Sequence, residues 1–467
     1  MPHDSRGTER YTLALPSPNM HARSSLPLAL ALTLIGSASG QAPEIATYQV
    51  DDEPRVVRRA DVARDVSIRY RRTAEGGEAT QNLIDTWIIR TEAQDRGVWP
   101  GRTIVEKRIE DLRQQFQQTG RTLDEELANR RISPAEFFDV CAITVAHERL
   151  FRADNEVDDR SEVTPTLLQL WLREARERHE IEQDQDKVPE GTVAIADGHP
   201  ITLVDHGTQM LHLLPEKDLQ RFARRIALRE IVSREGARLG VSVEQSDIQA
   251  EVDHRRKVIE SDPSYRGVPY ENWLLQIRGQ TVAEYLRSEE LLATVRHRLI
   301  GETLFSAEAL QQEIETERES ILERHGERRR TSIIVVDGNE TGRPRSIEDA
   351  KERADQIYER VSTRRLSFER AVEQGSDDRS TKAREGDLGP VSRGQEGLPT
   401  ELLNVIFELE PLEVSEPVQF DRGFAILKLM KILPAPSDEE LVQILREEKA
   451  QEWLEEKFEA ANFEMRG

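Results

Sequence analysis

At 467 residues the chain exceeds what one hydrophobic core usually serves, and two to four domains are expected. Charged residues make up 33% of it and aromatic residues 5%, which argues against one large sheet-rich globule and for long solvated helices around small cores. The formal net charge is -23, and the basic run Arg328, Arg329, Arg330 is too short to track phosphates, so nucleic acid is not an expected partner.

The first feature along the chain is LPLALALTLIG at 26–36, preceded by His21 and Arg23 and followed by Ala38-Ser39-Gly40. An apolar run of that length with small residues behind it reads as a secretory signal, residues 1–40, with Met20 as a second candidate start. It is shorter than the roughly 20 residues of a bilayer-spanning helix, so a retained, membrane-tethering leader is the second reading. Export to a periplasm or cell envelope is the expectation.

The lone Cys141 has neither a disulfide partner nor metal-ligand spacing around it and reads as a small buried apolar residue. The histidines show no HExxH or paired spacing. No metal and no small-molecule cofactor is expected.

Past the leader the chain repeats itself. LIDTWIIRTEAQDRGV (83–98) lies on IALREIVSREGARLGV (226–241) without a gap, matching Leu83 to Ile226, Ile88 to Ile231, Glu92 to Glu235 and Gly97-Val98 to Gly240-Val241. Apolar residues at helical spacing, closed by a glycine suited to a left-handed cap, predict a helix in each copy. Ala135-Glu136-Phe137 answers to Ala283-Glu284-Tyr285. IATYQVDDEPRV (45–56) answers to VAIADGHPITL (193–203), a strand, a turn and a strand. Two helical modules are therefore expected, at 41–160 and 188–302, with helical linkers at 161–187 and 303–328. Their order of elements resembles the N-terminal chaperone module of SurA-like and PrsA-like secreted foldases, above all at VAIADGHPIT; Asp52 departs from the glycine expected in the first copy.

From Thr331 the pattern changes. TSIIVV predicts a strand, SIEDAKERADQIYERV a helix capped by Ser346, and SFERAVEQG a helix starting at Ser367. EGDLGPVSRGQEGLP (385–399) reads as a glycine-rich turn, LLNVIFEL as an apolar helix, and SEPVQF and GFAILKLMKI as closing strands. Asp387 reads as a turn residue bonding backbone N–H groups. The β-α-α-turn-α-β-β order predicts a small α+β domain at 329–433, in a chain otherwise mainly α.

SFERAVEQGSDDRSTKAREGDLGPVSRG, LPTELLNVIFEL and VSEPVQFDRGFAILKL together resemble the parvulin (rotamase, PpiC) family of peptidyl-prolyl cis-trans isomerases. That resemblance implies an apolar groove for a proline ring and polar groups that favour a twisted amide. Unaided, that amide faces a barrier of about 18–20 kcal/mol. By resemblance Asp378 stands at the family's cysteine-or-aspartate position, and Leu398 and Leu402 at its pocket methionine and phenylalanine, with Phe407 ending the same helix. Ser332 and Ala425 stand at its two histidines. Replacement of both histidines implies a domain that binds peptide with weakened catalysis.

The last segment, 434–467, has a Ser437–Glu440 capping box and an apolar stripe that must dock somewhere; the resemblance to SurA-like proteins implies the N-terminal module as its place. The chain as a whole is read as an exported folding factor for unfolded or proline-containing segments of exported proteins. An active parvulin-type isomerase is the alternative, and a structural envelope protein the third class.

Overall fold

The computed structural model describes residues 44–158, 161–261, 265, 267–338, 345–382, 384–395 and 397–466. The expected leader at 1–40, with Met20, lies outside them. The chain divides into two compact units, Met1–His297 with Leu454–Gly467, and Arg298–Trp453. Among the described residues no helix is long and apolar enough to cross a membrane.

The first unit opens with β1 (Glu44–Val50), β2 (Glu53–Arg58), α1 (Arg59–Tyr70), α2 (Ala74–Asp95), α3 (Arg102–Gln118), α4 (Leu123–Asn129), α5 (Pro134–Asn155), α6 (Pro165–Arg176) and β3 (Ile181–Glu182). Next come β4 (Thr192–Ala196), β5 (His199–Thr202), α7 (Leu203–Leu211), α8 (Glu216–Arg238), α9 (Gln245–Ser261), α10 (Tyr270–Arg278), α11 (Val282–Leu286) and α12 (Glu289–Leu304), whose last turns belong to the second unit.

The repeat is visible in its punctuation. Gly97 (φ 66°) and Gly240 (φ 68°) are both left-handed, and each closes its helix with the same bond, Val98 N to the Ala93 carbonyl and Val241 N to the Gly236 carbonyl. Ser133 and Glu136 form a capping box at α5, and Thr281 and Glu284 form its counterpart at α11. The copies then diverge, because α5 runs unbroken where the second copy interrupts its helix between α11 and α12.

The modules expected as successive bodies at 41–160 and 188–302 form one intertwined unit. The core around α2 (Leu83, Ile84, Ile88) takes in Val193 and Ala194 of β4, Ile201 of β5, and Trp171 and Ala175 of α6. Helix α8 instead lies along β1 and β2. Between them α1 crosses α7 at Gly207, where a Cβ would stand 1.7 Å from the Ala63 carbonyl oxygen. Ala63 and Gly207 each lie five residues beyond their N-caps, Arg58 and Thr202, so the crossing joins equivalent points of the two copies. His206, fully buried, ties the crossing together: its Nε2 donates to the Gly76 carbonyl (3.0 Å) and its Nδ1 accepts from the Ser67 hydroxyl (2.9 Å). That tautomer follows from the carbonyl, which can only accept, and from burial, which lowers the imidazole's pKa and keeps it neutral.

The second unit adds α13 (Ala307–Thr316), α14 (Arg318–His325), β6 (Arg328–Asp337), α15 (Ile347–Ser362), α16 (Phe368–Gly375), α17 (Arg379–Lys382), β7 (Asp387–Val391), α18 (Thr400–Glu408), β8 (Val418–Phe420), β9 (Gly423–Leu433) and α19 (Asp438–Ala460), with β10 (Glu464–Met465) in the first unit. The helical linker expected at 303–328 holds two helices beyond the end of α12, parted at Glu317. The sheet is antiparallel, ordered β7-β6-β9-β8. Helices α15 and α16 cover one face through Ile334, Val336, Phe424 and Ile426, and α18 covers the other through Ile333, Val335, Ala425 and Leu427. The first turns of α19 seat Leu441 and Leu445 against Leu310, Ile314 and Ile321 of α13 and α14. Its last turns serve the first unit, where Lys457 meets Glu235 at 3.1 Å and β10 pairs with β1, Ala46 opposite Met465.

Candidate functional site

The glycine-rich stretch is not only a turn. Its centre is β7, an edge strand paired with β6 from Arg329–Val391 to Ser332–Asp387. Pro390 is tolerated there because an edge strand has one side without a partner. Gly386 (φ 89°) and Gly389 (φ 78°) are left-handed, and a Cβ on Gly386 would come within 2.8 Å of both the Ile333 carbonyl oxygen and Val372. Asp387 holds the bend: one carboxylate oxygen accepts the Gly389 N–H (2.8 Å) and the other the Arg330 guanidinium (2.7 Å).

Beyond Ser332, β7 leaves β6 and another segment takes its place. The Ile333 N–H reaches the Gly386 carbonyl (2.8 Å), the Val335 N–H the Ser376 hydroxyl (3.2 Å), and the Asp337 N–H the Asp377 carboxylate (3.0 Å). Asp377 also takes Arg345 at 2.6 Å, and both side chains are close to nine-tenths buried. Ser376 and Asp377 thus complete the strand's edge, and Asp378 follows them. Its carboxylate accepts the Ser380 hydroxyl (3.0 Å), the Thr381 hydroxyl (2.6 Å) and the Thr381 N–H (3.1 Å). Burial alone would raise its pKa, but these bonds outweigh it and hold the carboxyl below the usual range. Asp378 is therefore ionised at neutral pH, with its oxygens engaged in organising α17.

The resemblance-derived residues do not all meet. Leu398, Leu402, Phe407 and Ala425 share one apolar cluster on the α18 face. Leu402 (1% exposed), Ala425 (0%) and Phe407 (8%) are buried and leave no open groove at those three positions. The Arg329 and Arg393 guanidiniums lie over the Phe407 ring at 5.1 and 4.4 Å, so it serves packing rather than a lining role. Ser332 is on the opposite face. It pairs with Lys428, which reaches Phe368 and Glu369 of α16, and in the regular register beyond it Ile333 faces Leu427 and Val335 faces Ala425. Ser332 lies three residues before Val335, the partner of Ala425, in an unbroken register, and residues an odd number apart on a strand face opposite ways. The β6 residues on the Ala425 face are Ile333 and Val335, so the strand positions there are apolar.

An open cleft of about 530 Å³ lies beside this cluster, lined by Ile347, Glu401, Gln419, Phe420 and Asp421. Phe420 packs against the same apolar cluster as Leu402, and Glu401 is its neighbour in the first turn of α18. Next to the cleft, Arg422 forms a bidentate pair with Asp337 (2.9 and 3.1 Å). That bonding first, and the nearby Asp337 and Asp378 charges, raise its pKa. Sequence reasoning missed these five residues because they come from three separate segments. The one signal was the Phe420-Asp421 pair where the β8–β9 hairpin turns.

The rotamase family model, described as a PPIC-type PPIASE domain, matches residues 334–431. Among solved structures, the peptidylprolyl isomerase PrsA of Bacillus anthracis aligns at 18% identity over 52% of this chain and 98% of its own, with a TM-score of 0.24. PrsA of Bacillus subtilis aligns at 17% over 60% and 92% (TM-score 0.23), and a PpiC-type peptidyl-prolyl cis-trans isomerase domain at 28% over 24% and 96% (TM-score 0.20). At these TM-scores the solved structures add nothing to the family match. The match begins within β6 and ends within β9, and so takes in the last residues of β6, all of β7 and β8, most of β9, the covering helices and the cleft. The PPIC-type rotamase domain of this chain is residues 334–431.

Proposed function

We propose that this protein is an exported folding factor that binds unfolded or extended polypeptide, and that its rotamase domain engages proline-containing segments with little isomerase power. The observation that carries the reading is the composition of the α18 face, where Ile333, Val335, Ala425 and Leu427 are the strand residues beside Leu402. Isomerisation needs the amide held twisted, and the groups able to favour that state are preorganised polar ones. Removing one such group commonly costs about a hundredfold to a thousandfold in rate. Apolar residues can still seat a proline ring through burial of its carbons. Export is supported by the apolar run at 26–36 with its small-residue exit.

The test is exchange spectroscopy on a short X-Pro peptide with the full chain. Peptide shifts or broadening without faster cis/trans exchange is the expected result. Exchange accelerated by orders of magnitude would favour the alternative, an active isomerase. A companion assay asks whether stoichiometric protein suppresses aggregation of an unfolded protein, and failure there removes the folding-factor reading.

A further inference from the structure

The cleft beside the apolar cluster has two kinds of wall. Ile347, 38% exposed though large and apolar, and Phe420 supply one; Glu401 and Asp421 supply the other. Among the described residues neither carboxylate has an ion-pair partner, whereas the neighbouring Arg422 and Arg345 are already engaged. Arg422 is bound by Asp337, and Arg345 by Asp377 and the Asp337 carbonyl. The first turn of α15 adds Glu348 and Asp349 beside Ile347. Phe420 joins the two regions, being at once a wall of the cleft and a member of the apolar cluster that holds Leu402 and Leu398.

On the reading that this domain engages proline-containing polypeptide, we infer that the cleft selects its segment by charge, taking a lysine or arginine beside the proline. A basic side chain suits both walls. Its methylene stem can lie along Ile347 and Phe420 while its head sits between Glu401 and Asp421. An acidic side chain in the same place meets two like charges with no free cation from Arg422 or Arg345. The chain's overall charge of -23 acts in the same direction at long range and brings basic segments in faster. The selectivity belongs to the cleft, though, because the overall charge does not depend on where along the peptide the lysine stands.

The experiment uses the full chain and four peptides of one length: Ala-Lys-Pro-Phe, Ala-Glu-Pro-Phe and Ala-Ala-Pro-Phe cores, and a fourth with its lysine moved five residues from the proline. Affinities are read by NMR shift titration at low salt and at about 0.5 M salt, where screening reaches only a few ångströms. The Lys-Pro peptide is expected to bind roughly three- to thirtyfold more tightly than Glu-Pro at low salt, the range that two exposed charge pairs provide. The displaced-lysine peptide is expected to fall near Ala-Ala-Pro. The double variant Glu401→Gln, Asp421→Asn should bring all four within about twofold, and Glu401→Lys, Asp421→Lys should reverse the order. Both sites of change, Glu401 and Asp421, are exposed, so folding is checked simply by an unchanged spectrum elsewhere. Proline peptides that bind equally whatever their charge overturn the selectivity and leave the domain's reading intact. A preference that survives the double variant assigns it to the overall charge and likewise overturns the cleft. No binding by any of the four overturns the reading of the domain itself, and the selectivity with it.

Discussion

The intertwined helical unit and the α18 face of the rotamase sheet treat buried polar groups in opposite ways. In the helical unit His206 is fully buried and bonded at both nitrogens. Glu92, 8% exposed, takes Arg96 at 2.5 Å and Arg178 at 2.8 Å; its repeat counterpart Glu235, equally buried, takes Arg238 at 2.7 Å and Lys457 at 3.1 Å. Glu92 draws on Arg178 in the segment after α6 and Glu235 on Lys457 of α19, so each buried carboxylate ties its helix to a segment outside its own module. On the α18 face the corresponding choice is Ile333, Val335, Ala425 and Leu427. A buried polar group is costly unless it is bonded. The chain keeps such groups where they fix architecture, and the strand residues of the α18 face are apolar.

The largest effect should come from the crossing that the helical unit is built around. Gly207→Ala puts a methyl 1.7 Å from a backbone oxygen, which no side-chain rotation relieves, so α1 and α7 must part. A loss of about 3 kcal/mol or more is expected. Four of the five tryptophans, at 87, 99, 171 and 273, lie in that unit, so their fluorescence during urea unfolding reads it directly. An unchanged midpoint would mean that the helices do not meet there.

Ala425→His tests the other side of the comparison. Ala425 is fully buried among aliphatic side chains, and an imidazole there has no partner. The expected outcome is a loss of roughly 2–4 kcal/mol and no gain in X-Pro exchange. If that single substitution accelerated exchange, the α18 face would have to be a site needing one polar group only.

A pH titration sharpens the contrast. Burial lowers the His147 pKa to about 4, partly offset by its bond to the Leu168 carbonyl (3.2 Å). The unfolded imidazole, with a pKa near 6.5, binds its proton first, so stability is full above about 6.5 and falls as pH drops toward 4, by about 3 kcal/mol. His206 and His212 are also lowered by burial and act in the same sense. His147→Gln, followed by denaturant midpoints between pH 7 and 4, should flatten part of this limb. The rotamase sheet has no buried neutral histidine in its two apolar clusters to produce such a limb.

What could be read from the sequence follows how local each signal is. The glycine stops at Gly97 and Gly240, the Ser346 and Ser367 caps and the bend at Asp387 are set by residues within a few positions of one another, and the structure has them all. The exchange of strands between the repeats depends on partners such as Leu83 and Val193, far apart in the chain, and no local pattern encodes it. Strand β7 was hidden because Gly389 and Pro390 remove the alternation by which a strand is recognised. That Ser332 and Ala425 face opposite sides of the sheet depends on the β6–β9 register, which pairs residues about ninety positions apart and leaves no local mark. The cleft escaped because a concave surface belongs to no one segment.

The smallest predicted effect settles how Asp378 should be regarded. Its oxygens are occupied by Ser380 and Thr381, as in a helix cap, so Asp378→Ala should cost about 1 kcal/mol, the usual value of a lost cap. Because its carboxyl pKa is depressed in the folded chain, that contribution is present above the unfolded value and fades as pH falls through the folded one. The variant should therefore differ from the parent at neutral pH and approach it in acid. If Asp378 is a capping residue, the shifts that an X-Pro peptide shows on binding will be the same for parent and variant, and exchange will be equally slow. If exchange in the parent is measurably accelerated and the variant abolishes it while its denaturant midpoint moves by no more than a cap is worth, the carboxylate acts on the peptide. The comparison between a helical unit rich in bonded polar groups and a sheet face without them would then hold for the strands but not for the loop beside them.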